Sequence, residues 1–149
     1  MPTNMRICNE KLGISPKLTS FSIPLGATVN MDGACINFMI CGLFLARAYN
    51  VPISRTDLVS AAITIILLSL GAPGVPGAGL VCLGVVLEAL HVPVEAIGLI
   101  IAVNPIMDMF STMSNTTGDM TVSLITARSE GLFDKEVFQN DNVVAVEKK

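Results

Sequence analysis

Residues 58 to 87 carry no charged side chain, and the middle of that run reads Gly71-Ala-Pro-Gly-Val-Pro-Gly-Ala-Gly79. Two prolines and four glycines in nine residues rule out a continuous helix there. Each flank is only about a dozen residues, too short to cross a bilayer that needs about 20. The pattern predicts a re-entrant hairpin over 56–91: a half-helix in, an extended tip at 71–79, and a half-helix out. Backbone amides and carbonyls at such a tip need partners, which ions or substrate groups would supply. The run lacks the Gly-Lys-Ser/Thr ending of a phosphate loop, so a nucleotide site does not fit. His91 and Pro93 close the hairpin, and an interfacial position fits His91, the one histidine, better than a ligand role.

The rest of the chain is nearly as apolar. Hydrophobic residues make up 52% of it and charged residues 14%, with a mean hydropathy of +0.68, where a soluble domain carries about 25% charged residues. From Lys17 to Arg128 the intervening charges are only Asp32, Arg47, Arg55, Asp57, Glu88, Glu95, Asp108 and Asp119. A greasy soluble core would leave too little polar surface to cover it, so the chain reads as an all-α integral membrane protein or part of one. The net charge of −3 gives no basic patch for nucleic acid. The first residues lack the apolar core of a secretory signal. Cys8, Cys35, Cys41 and Cys82 follow no metal or redox spacing and read as small hydrophobes.

Around the hairpin, the sequence predicts four further segments. Residues 1–17 read as a helical end and linker. Residues 18–48 form an apolar segment interrupted by Pro24-Leu-Gly-Ala-Thr-Val-Asn-Met-Asp-Gly33, a broken helix whose unwound turn must face protein or a water-filled cavity. Asp32 in that turn is costly in a membrane and marks a functional site. A long helix over 94–128 is expected to cross the bilayer with tilt, followed by a polar tail at 129–149.

The long helix carries a polar stripe. At about 100° per residue, Asn104, Asp108, Ser111, Thr112, Asn115 and Asp119 fall within an arc of roughly 100°, while Met107, Met109, Phe110 and Met113 lie outside it. The stripe holds two acids with no nearby basic residue, so it predicts bound cations. Two interrupted membrane segments point to a transporter site near the bilayer midplane. Carboxylates, amides, hydroxyls and unwound carbonyls suit sodium, and Asn30, Asp32, Asn115 and Asp119 form such a set. Asp108 stands apart and suits an amino group.

Asn-Met-Asp-Gly at 30–33, Gly-Val-Pro-Gly-Ala-Gly at 74–79 and Asp108-(x)6-Asn115-(x)2-Gly-Asp119, preceded by Ser-Ile-Pro-Leu-Gly-Ala-Thr-Val at 22–29, together resemble the sodium-coupled glutamate and neutral amino acid transporters, the dicarboxylate/amino acid:cation symporters. The likeness spans residue 1 to about 139. It implies the core of the transport domain of an elevator-type symporter, a multi-pass protein of the cell membrane that is usually a homotrimer, with its tail in the cytoplasm. It also implies a C-terminal fragment. Met1-Pro-Thr-Asn-Met-Arg would be the returning arm of a first re-entrant hairpin, and Met1 an internal methionine or a truncated start.

Carried over residue by residue, the resemblance implies that Asp108 binds the substrate α-amino group with Thr112 beside it. Asn115 would face the substrate carboxylate, and the tip backbone near Val75 and Gly79 would close over it. One sodium site would use Asp119 with carbonyls of Gly26, Asn30 and Asn115. A second would use carbonyls of Thr28, Ser69, Leu70 and Ala72 near Met31, and a third Asp32 and Asn30. No organic cofactor and no catalytic residue are implied.

Two departures bear on the substrate. Acidic-substrate members place an arginine where this chain has Ser111, and a threonine where it has Ala34. Arginine offers a bidentate clamp for a side-chain carboxylate that serine cannot reproduce. A neutral amino acid is therefore expected, with an acidic amino acid or dicarboxylate as the alternative. An intramembrane aspartyl protease would need Gly-x-Gly-Asp, and residue 116 is threonine. An ion channel or a non-transporting fragment is the remaining reading.

Overall fold

The computed structural model of the chain describes residues 1 to 71 and 77 to 139. Most of the expected hairpin tip, including Ala72 and Val75, and the tail from 140 onward lie outside the described residues. Within them the fold is all helical: α1 (Pro2–Glu10), α2 (Pro16–Val29), α3 (Asp32–Ala48), α4 (Arg55–Ser69), α5 (Ala78–Ala89), a 3-10 helix (Val94–Leu99), α6 (Asn104–Ser129) and α7 (Lys135–Gln139). The chain divides into two compact units, residues Met1–Ala27 with Thr116–Lys149 and residues Thr28–Asn115.

The first unit joins both ends of the chain. Cys8, Ile14, Ile23 and Ala127 are its buried core, with Leu12, Leu18, Leu124, Leu132 and Phe133 packed around them. Ile14 and Phe133 form an isolated antiparallel bridge. The backbone N–H of Ser15 donates to the Leu132 carbonyl at 3.0 Å, and that of Asp134 to the Gly13 carbonyl at 2.7 Å. Arg128 lies over the Phe133 ring, 5.0 Å from its centroid, a cation–π contact that anchors the segment after α6. Buried hydroxyls find partners here, as apolar surroundings require. Thr19 donates to Asn9 Oδ1 at 2.7 Å. The Ser123 hydroxyl lies 2.7 Å from the Asp119 carbonyl and 2.8 Å from Ser22 Oγ.

The second unit packs α3 against α4 and α5, and α5 against the 3-10 helix. Its core comprises Phe38, Cys41, Leu45, Ala61, Ile65, Leu83, Val86, Leu87, Leu90, Val92 and Ala96 among others. α4 begins with a capping box. The Asp57 N–H donates to Ser54 Oγ at 3.2 Å, and the Ser54 N–H donates to Asp57 Oδ2 at 2.8 Å. Two backbone donors at the helix start are thereby satisfied. The Ser54 backbone N–H, and then its hydroxyl, hold the Asp57 carboxyl below its ordinary value. His91, in a left-handed conformation with φ of 57°, brings Nε2 to 3.8 Å from Asp57 Oδ1. The start of α4 thus meets the turn that follows α5.

Large apolar side chains remain exposed on these helices: Ile36, Ile40 and Phe44 on α3, Val59, Ile63 and Leu67 on α4, and Val81 on α5. An exposed set of large apolar side chains like this suits lipid or a covering protein. Among the described residues, the stretch Pro16–Ala48 is long and apolar enough to cross a membrane.

Two local expectations need correction. The interruption expected over Pro24–Gly33 is confined to Asn30 and Met31, because α2 runs through Pro24 to Val29 and Asp32 already starts α3. Proline costs one backbone bond in a helix, a loss that apolar helices absorb when neighbours satisfy the freed carbonyl. The helix expected from 94 also starts late. A 3-10 turn ends at Leu99 and α6 begins at Asn104. Pro105 lies in the first turn of α6, where its missing N–H leaves no helical bond unmade, a position that suits proline.

Candidate functional site

Each polar residue singled out in the sequence has a definite position, and the stripe of α6 divides. Asp119 is 5% exposed and Ser111 8% exposed, whereas Asp108 and Thr112 are exposed and Asn104 and Asn115 half-buried. Length alone would not produce this. α6 is 26 residues, about 39 Å at 1.5 Å per residue, so neighbours along it decide which side chains are covered.

In the first unit, Gly26 makes room for Asp119. A Cβ at residue 26 would fall on the Asp119 carboxylate, so the glycine lets that carboxylate lie directly against the α2 backbone. Gly26 also sits in the last turn of α2, where four carbonyls have no partner within the helix. A buried carboxylate beside a helix C-terminus is an arrangement for a cation, because both present negative charge.

In the second unit, Gly33 plays the same part for Ser111. A Cβ there would lie 2.7 Å from Ser111 Cα and 2.8 Å from its carbonyl carbon, so the backbones of α3 and α6 touch. Four residues along α6, the Asn115 side chain reaches the same place: the Gly33 N–H donates to Asn115 Oδ1 at 2.7 Å. This caps the first turn of α3 and commits the amide oxygen of Asn115. Its NH2 end is then the part able to donate to a carboxylate. Asp32, in that first turn, is exposed, where helix N-terminal charge favours a carboxylate.

Ser111 and Ala34, paired in the substrate argument, part company. Ser111 lines a cavity of about 340 Å3 with Gly33, Ile36, Asn37, Ile40, Met107, Phe110 and Ser114. Ala34 and Met31 pack instead against the apolar core. Thr28 is exposed and Asn30 half-buried. Ser69 is buried, its hydroxyl donating to the Ile66 carbonyl at 2.8 Å, and Leu70 is exposed. A Cβ at Gly79 would come to 3.9 Å from the Phe38 ring, an ordinary van der Waals contact. Among the described residues no three His, Cys, Asp or Glu side chains gather as a metal cluster. The oxygen donors are single carboxylates, amides and main-chain carbonyls, a set that fits an alkali cation better than a transition metal.

Sequence reasoning missed Asn37 and Ser114. Asn37 is an isolated amide in the apolar α3, four residues after Gly33 and so on its face. That spacing was the available signal. It also missed Ser22, Thr19 and Ser123, whose spacing marks helix faces but whose pairing needs the fold.

An all-helical architecture with a break at Asn30-Met31 and exposed apolar faces fits a segment of an integral membrane protein. The sodium:dicarboxylate symporter family matches residues 1–129, and the chain belongs to that family, which is one of transporters and not of enzymes. It is 38% identical over 141 residues to excitatory amino acid transporter 3 of Mus musculus, covering 95% of this chain and 26% of that protein. It is 39% identical over 119 residues to excitatory amino acid transporter 4 of Mus musculus, covering 80% and 21%. With excitatory amino acid transporter 2 of Homo sapiens it shares 36% over 119 residues, again 80% and 21%. The chain therefore spans about a quarter of the length of the curated relatives it matches.

Proposed function

We propose that this chain forms the substrate- and ion-binding core of a sodium-coupled amino acid symporter of the cell membrane, and that its substrate is a neutral amino acid. The observation that carries the neutral reading is the Ser111 cavity, whose eight lining residues include no charged side chain. The cavity is open on one side, where Ile36, Ile40 and Phe110 are exposed, and a side-chain carboxylate placed against its apolar walls would find no cation among them. Asp108, exposed on the neighbouring face of α6, is proposed to bind the α-amino group with Thr112 beside it. The NH2 end of Asn115 is proposed to donate to the α-carboxylate, and the Gly79 backbone to close the site. Asp119 with the Gly26 carbonyl in the first unit, and separately the carbonyls of Thr28, Asn30, Ser69, Leu70 and Asn115 with Asp32 in the second, are proposed as oxygen ligands for sodium ions. Sodium would supply the positive charge that these groups face and tie substrate binding to the ion gradient.

The relatives' names favour a second reading, transport of an acidic, excitatory amino acid. That reading needs a cation for the side-chain carboxylate from elsewhere. The test uses the full-length polypeptide that carries this segment, purified in lipid nanodiscs. Calorimetry is expected to show alanine, serine or threonine binding only with sodium, and none in Asp108→Asn. Sodium-independent binding, a preference for glutamate, or unchanged affinity in Asp108→Asn would overturn the corresponding part of the proposal.

A further inference from the structure

We infer that Asn37 reads the substrate's side chain, selecting among neutral amino acids those that carry a hydroxyl or carboxamide. This rests on the proposed amino acid site and refines it. The argument starts from the spacing along α6. Asp108, proposed for the α-amino group, and Ser111 are three residues apart, so their Cβ atoms are about 5–6 Å apart on one side of the helix. A substrate held by its amino group at Asp108 would thus have its side chain beside Ser111. The space beyond Ser111 is the cavity of about 340 Å3, at the small end of the range for ligand pockets.

The lining has two characters. Ile36, Ile40, Met107 and Phe110 form apolar walls, open on the side where Ile36, Ile40 and Phe110 are exposed, and the polar groups are Asn37, Ser111 and Ser114. Apolar walls with a few placed polar groups are how small-molecule sites obtain specificity. Asn37 stands out because its amide is half committed. The Cys41 thiol donates to Asn37 Oδ1 at 3.2 Å, which fixes the oxygen end and leaves the NH2 end as the donor. An amide whose oxygen is already engaged by its own helix asks for an acceptor in front of its nitrogen. A substrate hydroxyl or carboxamide oxygen supplies one. A methyl group in the same place would leave that donor unsatisfied.

Threonine and valine test this, since they differ by a hydroxyl for a methyl at nearly equal volume. In the same sodium-containing binding assay, the full-length protein should bind threonine about tenfold tighter than valine, the worth of one neutral hydrogen bond. Asn37→Leu should bring that ratio to within about threefold of unity. Asn37→Ala, which removes the amide without adding bulk, should do the same and guards against misfolding in the leucine variant. A threonine-to-valine ratio near unity in the unaltered protein, or a ratio unchanged in either variant, overturns the role of Asn37. Failure to bind any neutral amino acid with sodium instead overturns the underlying site.

Discussion

Substituting Gly33 by alanine tests the close contact on which the second unit's polar residues depend. The added Cβ would meet the main chain of Ser111, with Cα at 2.7 Å and the carbonyl carbon at 2.8 Å, inside the distance at which any real Cβ sits. Main-chain atoms in mid-helix cannot rotate away as a flexible side chain could, so α3 and α6 must separate locally. Overpacking of this kind costs about 1–3 kcal/mol. Separation also lengthens the bond from the Gly33 N–H to Asn115 Oδ1, now 2.7 Å, for about 1 kcal/mol more. The sum, about 2–4 kcal/mol, corresponds to a fall in Tm on the order of 5–10 °C. Cys8, Cys41 and Cys82 are free and buried, so a thiol-reactive dye reports unfolding in detergent directly. Gly98→Ala is the control, since a Cβ there meets nothing within 4 Å. A Gly33→Ala variant melting within one degree of wild type would refute the reasoning, because it would mean that the backbones do not touch.

Two further outcomes are expected. The Asp57 carboxyl is held below its ordinary value of 3.8 by the Ser54 N–H and hydroxyl, so its folded form favours the ionised state. That stabilisation is fully present above pH 3.8 and is lost as pH falls through the lowered folded value. Asp57→Asn should therefore melt below wild type at pH 7, and the gap should close on acidification; a gap that widens toward low pH would contradict the capping box. In the second, Ser111→Arg combined with Ala34→Thr should raise affinity for glutamate relative to serine by at least tenfold in the sodium-dependent binding assay. An unchanged ratio would mean that charge at residue 111 does not decide the substrate.

Much of this arrangement could be read from residue types alone, because membrane helices announce themselves by what they omit. The absence of charge over 58–87, the Asn-Met-Asp-Gly turn and the acid-bearing stripe each state a local fact. Helix ends were read less well. Pro24 looked like a breaker and lies within α2, because apolar packing outweighs one missing backbone bond. Pro105, which carries no sequence expectation, lies in the first turn of α6, where proline fits. The stripe shows the larger gap. Periodicity places Asp108, Ser111, Thr112 and Asp119 on one face but says nothing of what covers each. Burial of Ser111 and Asp119 depends on Gly33 and Gly26, far away in sequence, and a missing Cβ has no periodic signature. Asn37 escaped for the same reason, since its meaning comes from Ser111 across the cavity.

The division of the chain into units has a consequence for how it assembles. Residues 28–115 are continuous, so the second unit has all its parts as soon as residue 115 has been made. The first unit takes residues 1–27 and everything from 116 onward. Its bridge from Ile14 to Phe133 cannot close until almost the whole segment has been synthesised. Chains are made from the N-terminus at about 5–20 residues per second, so α1 and the start of α2 wait several seconds for their partners. During that wait the apolar side chains of Ile14 and Ile23 lack their final cover. Folding order is thus written into the topology: the middle matures first, and the two ends are joined last.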